Sequence, residues 1–293
     1  MPEGTLEKRA QFEHGLLFVN LFLMGLGIVM VYSATVYGVT DPAVVKETQG
    51  NGMFYLMRHL MFVGIGLVIL FGATVIPFRV YERLALPILI LGIALMVLVL
   101  FIGTKLLGAT RWFTVLGFSV QPGEAVKMAF VIWMSYSLAS KKGSLHTFEL
   151  GVAPHFLVAL VVVILYLLQP DLGSCIILGV VMVSLMFVAG TTLKHIGLLT
   201  VIGVPSMAAV ILSSEERMNR IFAWLSPEVY RYGDGYQLTQ STISIGSGQF
   251  LGPGPGSGAQ NIAGYVPESE TDFIFSVISE ELGFIGSMLV ILS

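Results

Sequence analysis

Apolar positions along the chain fall into eight long runs separated by polar stretches of unequal length: 15–35, 60–78, 84–103, 123–140, 152–168, 172–190, 195–212 and 273–293. A helix rises about 1.5 Å per residue, so about 20 apolar residues cross the roughly 30 Å hydrocarbon core of a bilayer. The runs match that length. Each is predicted to be a helix, because an open strand would leave backbone N–H and C=O groups unpaired in lipid. The reading is an all-α polytopic membrane protein with about eight transmembrane helices, organised as one membrane domain over 1–293. Its three longer connections are 38–58, 104–122 and, largest, 213–272, between the seventh and eighth spans.

The large connection has its own pattern. Met218, Ile221, Phe222 and Leu225 recur at helical spacing beside Arg217, Arg220 and Trp224. That pattern predicts a short amphipathic helix lying in the membrane interface. Gly246, Gly248, Gly252, Gly254, Gly256 and Gly258 come next, with Pro253 and Pro255. So many helix breakers argue against a regular helix and for a compact turn or re-entrant loop packed on protein. No Gly-Lys-Ser/Thr comes after them, and Leu251 stands where a dinucleotide fingerprint needs a third glycine.

Charge placement bears on orientation. With the N-terminus inside, inner segments hold seven Lys and Arg and outer segments eight. The raw count is even, but the inner charges sit in short loops flush with span ends, where the positive-inside rule applies best. The N-terminus is therefore expected to be cytoplasmic. The first run exceeds the about 7–15 residues of a signal-peptide core, so it reads as a span.

Composition supports the bilayer. Hydrophobic residues make up 55% and charged residues 11% of the 293, against about 25% charged in a soluble domain. A net charge of −3 points to no nucleic-acid partner. The lone cysteine, Cys175, lies in an apolar run and reads as a small buried side chain.

Ionisable groups in or beside spans need a reason. Arg111 and Trp112 precede Gln121, Pro122, Glu124 and Lys127. Glu124 and Lys127, three apart, share one helix face. They form either a structural ion pair with Trp112 as interface anchor, or, with Arg111, a cationic cradle for an anionic head group, which arginine's planar fork suits. Gln169-Pro-Asp171-Leu-Gly173 separates two apolar runs. Proline biases Gln169 to extended backbone, and Asp171 sits where a helix N-terminus favours an anion, so it caps the helix or contacts substrate. Gln240 and Ser241, in Tyr236-Gln-Leu-Thr-Gln-Ser, either bind sugar hydroxyls or satisfy each other. Glu268, Thr271 and Asp272 lead into the last run, where Asp272 either caps the helix or does chemistry. Glu280 and Glu281 lie about 12 Å deeper. Adjacent residues diverge by about 100° on a helix, so one of them is expected to face a polar cavity or pair with a cation. No His/Cys ligand spacing supports zinc, and no nucleophile elbow is present.

As a set and in order, Gly108-Ala-x-Arg-Trp, Gln121-Pro-x-Glu-x-x-Lys127, Gln169-Pro-Asp-Leu-Gly173, Tyr236-Gln-x-x-Gln-Ser241 and Pro267-Glu-x-x-Thr-Asp-Phe-Ile-Phe275 through Glu280-Glu-Leu-Gly283 resemble the SEDS family (shape, elongation, division and sporulation) over roughly 15–293. Within it, 27–34 and the Tyr236-Gln-Leu-Thr-Gln pattern resemble division members more than elongation members. The resemblance implies a peptidoglycan glycosyltransferase of the cytoplasmic membrane. Such an enzyme polymerises lipid II at the outer face during cell division, with a class B penicillin-binding transpeptidase and other divisome membrane proteins as partners. It implies a family fold of ten spans and an extracytoplasmic loop over 213–272, so the chain reads as incomplete at its C-terminus. Gly123 departs from the family's usual serine and is expected to loosen that helix start.

On that resemblance Asp272 is the catalytic general base, and Arg111, Glu124 and Lys127 are the family's motif residues. Arg111, Lys127, Arg217 and Arg220 are candidates for the pyrophosphate. Trp112, Gln121, Gln169, Asp171, Gln240, Ser241, Glu268 and Thr271 complete the candidate substrate site. A divalent cation would assist departure of the pyrophosphate, although no ligand set is evident. Rival readings are a lipid II flippase and a non-catalytic divisome scaffold.

Overall fold

The computed structural model describes residues 3–38, 53–106, 109–115, 118–267 and 269–293. Gly108 and Glu268 lie outside them. Helices occupy every predicted span. They are α1 (Glu3–Gly38), α2 (Met53–Val75), α3 (Phe78–Ile102), α4 (Pro122–Ser140), α5 (Ala153–Leu168), α6 (Leu172–Val188) and α7 (Leu193–Leu212). After them come α8 (Glu215–Leu225), α9 (Tyr236–Ser247), the single turn α10 (Ala259–Ile262) and α11 (Ile274–Leu292). A π-helical turn, Phe148–Val152, leads into α5. Among the described residues six helical segments are long and apolar enough to cross a membrane, α5 together with that turn among them. The other two predicted spans are α6, which is apolar but shorter, and α4, whose Glu124, Lys127 and serines lower its hydropathy. The protein is a multi-pass membrane protein.

Two expectations change. The stretch 104–122, read as a loop, folds into a three-stranded antiparallel sheet in the order β1 (Thr104–Leu106), β2 (Ala109–Val115), β3 (Phe118–Val120). Thr110, Trp112, Phe113 and Thr114 are strand formers, and the register pairs Phe113 with Val120 and Lys105 with Thr110. The glycine-rich stretch is also less uniformly broken than its composition suggests. Gly246 continues α9, and the chain leaves the helix at Gly248.

Contacts divide the chain into two compact units. The first joins Met1–Ala73 to Leu212–Ser293, and the second is Thr74–Ile211. In the second, side chains from α3 to α7 interlock around Leu89, Met96, Val126, Phe130, Met134, Val162, Tyr166, Leu178 and Met186. Cys175 is buried among them. Gly123 does not loosen α4. A Cβ there would stand 2.9 Å from Tyr166 Cε1, so the bare backbone makes room for that ring. The Tyr166 hydroxyl then donates to Gly123 O at 2.6 Å. In the first unit the apolar core is small: Met30 and Ala34 of α1 against Val277 and Ile278 of α11. Around that cluster the unit buries many polar side chains, Ser33, Ser244, Asn261, Ser276, Ser279, Glu280 and Glu281 among them.

Candidate functional site

In the second unit the sheet delivers Arg111 to the junction between α5 and α6. Its Nε donates to Gln169 O at 2.6 Å, and Nη2 donates to Pro170 O. Two of its five N–H groups are thus spent on neutral carbonyls, which fix the guanidinium without cancelling its charge. Gln169 ends α5 with φ −95° and ψ 21°, so it is not extended as its proline neighbour suggested. Holding the helical turn lets its N–H reach Leu165 O and Tyr166 O. Its buried side chain donates to Met96 O at 3.2 Å, while its Oε1 has no partner among the described residues.

Asp171 is the N-cap of α6. It accepts from Ser174 N at 3.1 Å and Ser174 Oγ at 2.8 Å. The capping reading therefore holds for this residue. Gln121, the N-cap of α4, reaches Asp171 Oδ2 at 3.4 Å. One turn along, Lys127 pairs with Glu124 at 2.8 Å, as their spacing predicts. The Arg111 guanidinium lies 5.9 Å from the Trp112 ring. The structure thus gathers Arg111, Trp112, Gln121, Gln169 and Asp171, with the Glu124–Lys127 pair on α4. The formal charges of Arg111, Lys127, Glu124 and Asp171 sum to zero, so an anionic ligand there competes with internal partners.

In the first unit Asp272 lies exposed in the turn before α11. The helix's N-cap is Phe273, with no side-chain cap bond, so the capping reading fails for Asp272. Thr271 beside it is exposed. Arg217 and Arg220 sit on α8, whose Phe222, Trp224 and Leu225 are exposed as an interfacial helix requires. Arg220 pairs with Glu216 at 2.8 Å, both about three-quarters exposed, a pair worth under about 1 kcal/mol. On α9, Ser241 is buried and Gln240 half-buried. Among the described residues no three His, Cys, Asp or Glu side chains converge as a metal site.

Glu280 and Glu281 were expected to use one carboxylate on a cavity or a cation. Both are buried instead, at 2% and 1% exposure, and neither pairs with a cation among the described residues. Their partners are two separate sets of neutral donors. Glu281 accepts from Ser33 Oγ at 2.6 and 2.7 Å and from Gly256 N at 3.0 Å. Glu280 accepts from Ser244 Oγ at 2.7 Å and Gln260 N at 2.7 Å. The residues diverge on the helix as geometry demands, and each finds its own donor set. The sequence hinted at this through the coincidence of a glycine-rich loop and a Glu-Glu-Leu-Gly run. The donors themselves come from α1, α9 and the loop.

The same loop fills a break in α11. Gly283 has φ 65° and ψ −164°, which interrupts the helix and frees backbone groups on either side. Loop residues take them up. Gly254 N donates to Glu281 O at 2.9 Å, Phe284 N to Gln249 O at 2.9 Å and Ile285 N to Phe250 O at 3.2 Å. Gly252, with φ 68°, lies so near that a Cβ would collide with Glu281 O. The Phe250 and Phe284 rings stack at 5.9 Å. Irregular backbone at membrane depth is tolerated where it is buried in protein in this way.

The family model for the FtsW, RodA and SpoVE cell cycle proteins matches residues 14–292. A curated relative from Trichlorobacter lovleyi, described as a probable peptidoglycan glycosyltransferase FtsW, is 37% identical over 287 residues, covering 96% of this chain and 73% of its own. Two solved structures share the fold. One comes from work on the coordination of polymerization and crosslinking by a peptidoglycan synthase complex. It has TM-score 0.68 and 26% identity, covering 94% of this chain and 73% of that one. The other is the rod shape determining protein RodA of Thermus thermophilus, with TM-score 0.62 and 25% identity, covering 94% and 69%.

Proposed function

The chain belongs to the FtsW, RodA and SpoVE family of cell cycle proteins, and from that premise we propose that it is a peptidoglycan glycosyltransferase polymerising lipid II during division. The reaction takes place at the outer face of the cytoplasmic membrane, with the N-terminus inside. A membrane-resident enzyme suits a substrate whose prenyl tail cannot leave the bilayer.

The step is a single displacement. The 4-hydroxyl oxygen of the acceptor's terminal GlcNAc bonds to the donor's anomeric carbon, and the bond from that carbon to the undecaprenyl pyrophosphate breaks. Asp272 takes the hydroxyl proton, a contribution of roughly 10²–10⁴-fold for a positioned general base. Arg111 and Lys127, with Arg217 or Arg220, stabilise the negative charge that builds on the leaving pyrophosphate. Displacement inverts the anomeric centre. On the family resemblance, Trp112, Gln121, Glu124, Gln169, Gln240, Ser241, Glu268 and Thr271 are assigned to recognition of the sugar and head group, and Asp171 acts by holding the start of α6.

The observation that carries this reading is Asp272 itself: an exposed carboxylate at the mouth of α11, released from capping duty. A class B penicillin-binding transpeptidase is the proposed partner, since the first structural relative comes from a complex that couples polymerisation to crosslinking.

Asp272→Asn keeps shape and removes the base. Purified and given lipid II, this variant is expected to make glycan strands at least about 10²-fold more slowly, with membrane insertion intact. Normal polymerisation would refute the assignment. Head-group accessibility in liposomes, under conditions that block polymerisation, separates this reading from a flippase.

A further inference from the structure

We propose that Glu280 and Glu281 are positioning residues for the transfer reaction: they clamp the glycine loop into the break of α11 and so fix the frame from which Asp272 is presented. The proposal rests on Asp272 being the base.

Two carboxylates almost wholly removed from solvent, with no cation beside them among the described residues, are expensive to bury unless strong local hydrogen bonds compensate. The donors they hold come from separate parts of the chain. Glu281 joins Ser33 of α1 to Gly256 of the loop, and the Gly256 N–H also donates to Ser33 Oγ at 2.9 Å. Glu280 joins Ser244 of α9 to Gln260 at the start of α10. Asn261 adds a bond from its Nδ2 to Ser33 O at 3.3 Å. Between them the two side chains pin α1, α9, the loop and α10 to one stretch of α11.

These bonds also constrain the chain beyond Gln260. It leaves α11's flank at Gln260, runs through 261–273 and re-enters the same helix at Ile274. Both ends of this excursion are therefore fixed on α11, one by the Glu280 carboxylate and one by continuity with the helix. Asp272 is two residues from the second anchor. Val266 and Ser269 are buried along the way, so the excursion is packed as well as tethered. Cutting the first anchor leaves the stretch beyond Gln260 held on α11 by continuity with the helix alone, with the Asn261–Ser33 bond and the burial of Val266 and Ser269 as its remaining restraints. Displacements of about 1 Å in a reacting group cost roughly 10²-fold in rate.

The clamp needs hydrogen-bond acceptors in the right place. A glutamine can keep its oxygen on the backbone N–H of Gly256 or Gln260 and turn its amide toward the serine oxygen, which also accepts. A leucine can do neither.

The test uses the full chain in lipid nanodiscs with lipid II. Glu280→Leu and Glu281→Leu are expected to lower kcat by roughly 10²-fold with KM within about threefold, and to speed amide exchange across 261–273. Glu280→Gln and Glu281→Gln are expected to recover activity to within about tenfold of the parent and to restore protection, the pattern of a retained acceptor. If a leucine variant does not fold, Ser33→Ala and Ser244→Ala each remove one donor. They are expected to raise exchange in the same segment and to lower kcat by about five- to tenfold, the worth of one hydrogen bond. Unchanged exchange across 261–273 in the leucine or serine variants overturns the clamp, as does a glutamine variant no better than leucine. Exchange is measured without turnover, so failure of the clamp is distinguishable from failure of Asp272 as base.

Discussion

The two compact units are held together by different means. In the second, α3 to α6 meet through large apolar side chains, Phe130, Met134, Met96 and Leu89 among them. In the first, α11 meets its neighbours through bare glycine backbone and two buried carboxylates, with four residues forming the buried apolar cluster. Inside a bilayer, helices gain little from hydrophobic exclusion because lipid tails are as apolar as leucine. Interlocking volume and interhelical hydrogen bonds remain, and each unit relies mainly on one of them. The first unit carries the proposed base. Hydrogen bonds have narrow geometry, so they suit the part of the molecule where an atom must be placed, whereas shape-filling tolerates repacking.

That contrast can be broken by substitutions that read volume and backbone space separately. The largest effect is expected from Gly252→Ala. It forces a side chain onto Glu281 O and into a positive φ, and should cost more than about 4 kcal/mol, seen as loss of folded protein in detergent. Next is Phe130→Ala, which empties a fully buried site in the second unit and should cost about 3–4 kcal/mol in unfolding titrations. The smallest is Gly179→Ala, where a Cβ meets open space. It is expected to stabilise α6 by up to about 1 kcal/mol through helix propensity alone. Should Gly179→Ala prove as damaging as Gly252→Ala, the distinction between the units collapses.

Much of the fold could be read from the chain because transmembrane helices announce themselves by run length. Ends were harder. α2 begins at Met53 rather than 60, taking Arg58 and His59 into its first turns, because long side chains near a span end reach back toward water. The sheet was missed although Thr110, Trp112, Phe113 and Thr114 favour strands, since β1 and β3 are only three residues each and Gly103, Gly108 and Gly117 punctuate the stretch. At the site, local relations were legible: Glu124 with Lys127 at three residues, and Asp171 as a cap. Relations that depend on distant chain were not. Nothing near Glu281 in sequence reveals that its hydroxyl donor is Ser33. Nothing near Arg111 reveals that it will hold the carbonyls of Gln169 and Pro170.

The Ser33–Glu281 bond spans 248 positions. At a synthesis rate of about 5–20 residues per second, the ribosome needs roughly ten to fifty seconds to deliver the second partner after the first. Throughout that interval α1 waits in the membrane without its Glu281 acceptor, exposed to the insertion machinery and to proteases that survey unfinished proteins. Helix α1 thus gains this bond only after α11 has been made. A pause in translation between positions 211 and 281 would lengthen the wait of the region that carries the proposed chemistry, while every residue of the 74–211 unit would already be made.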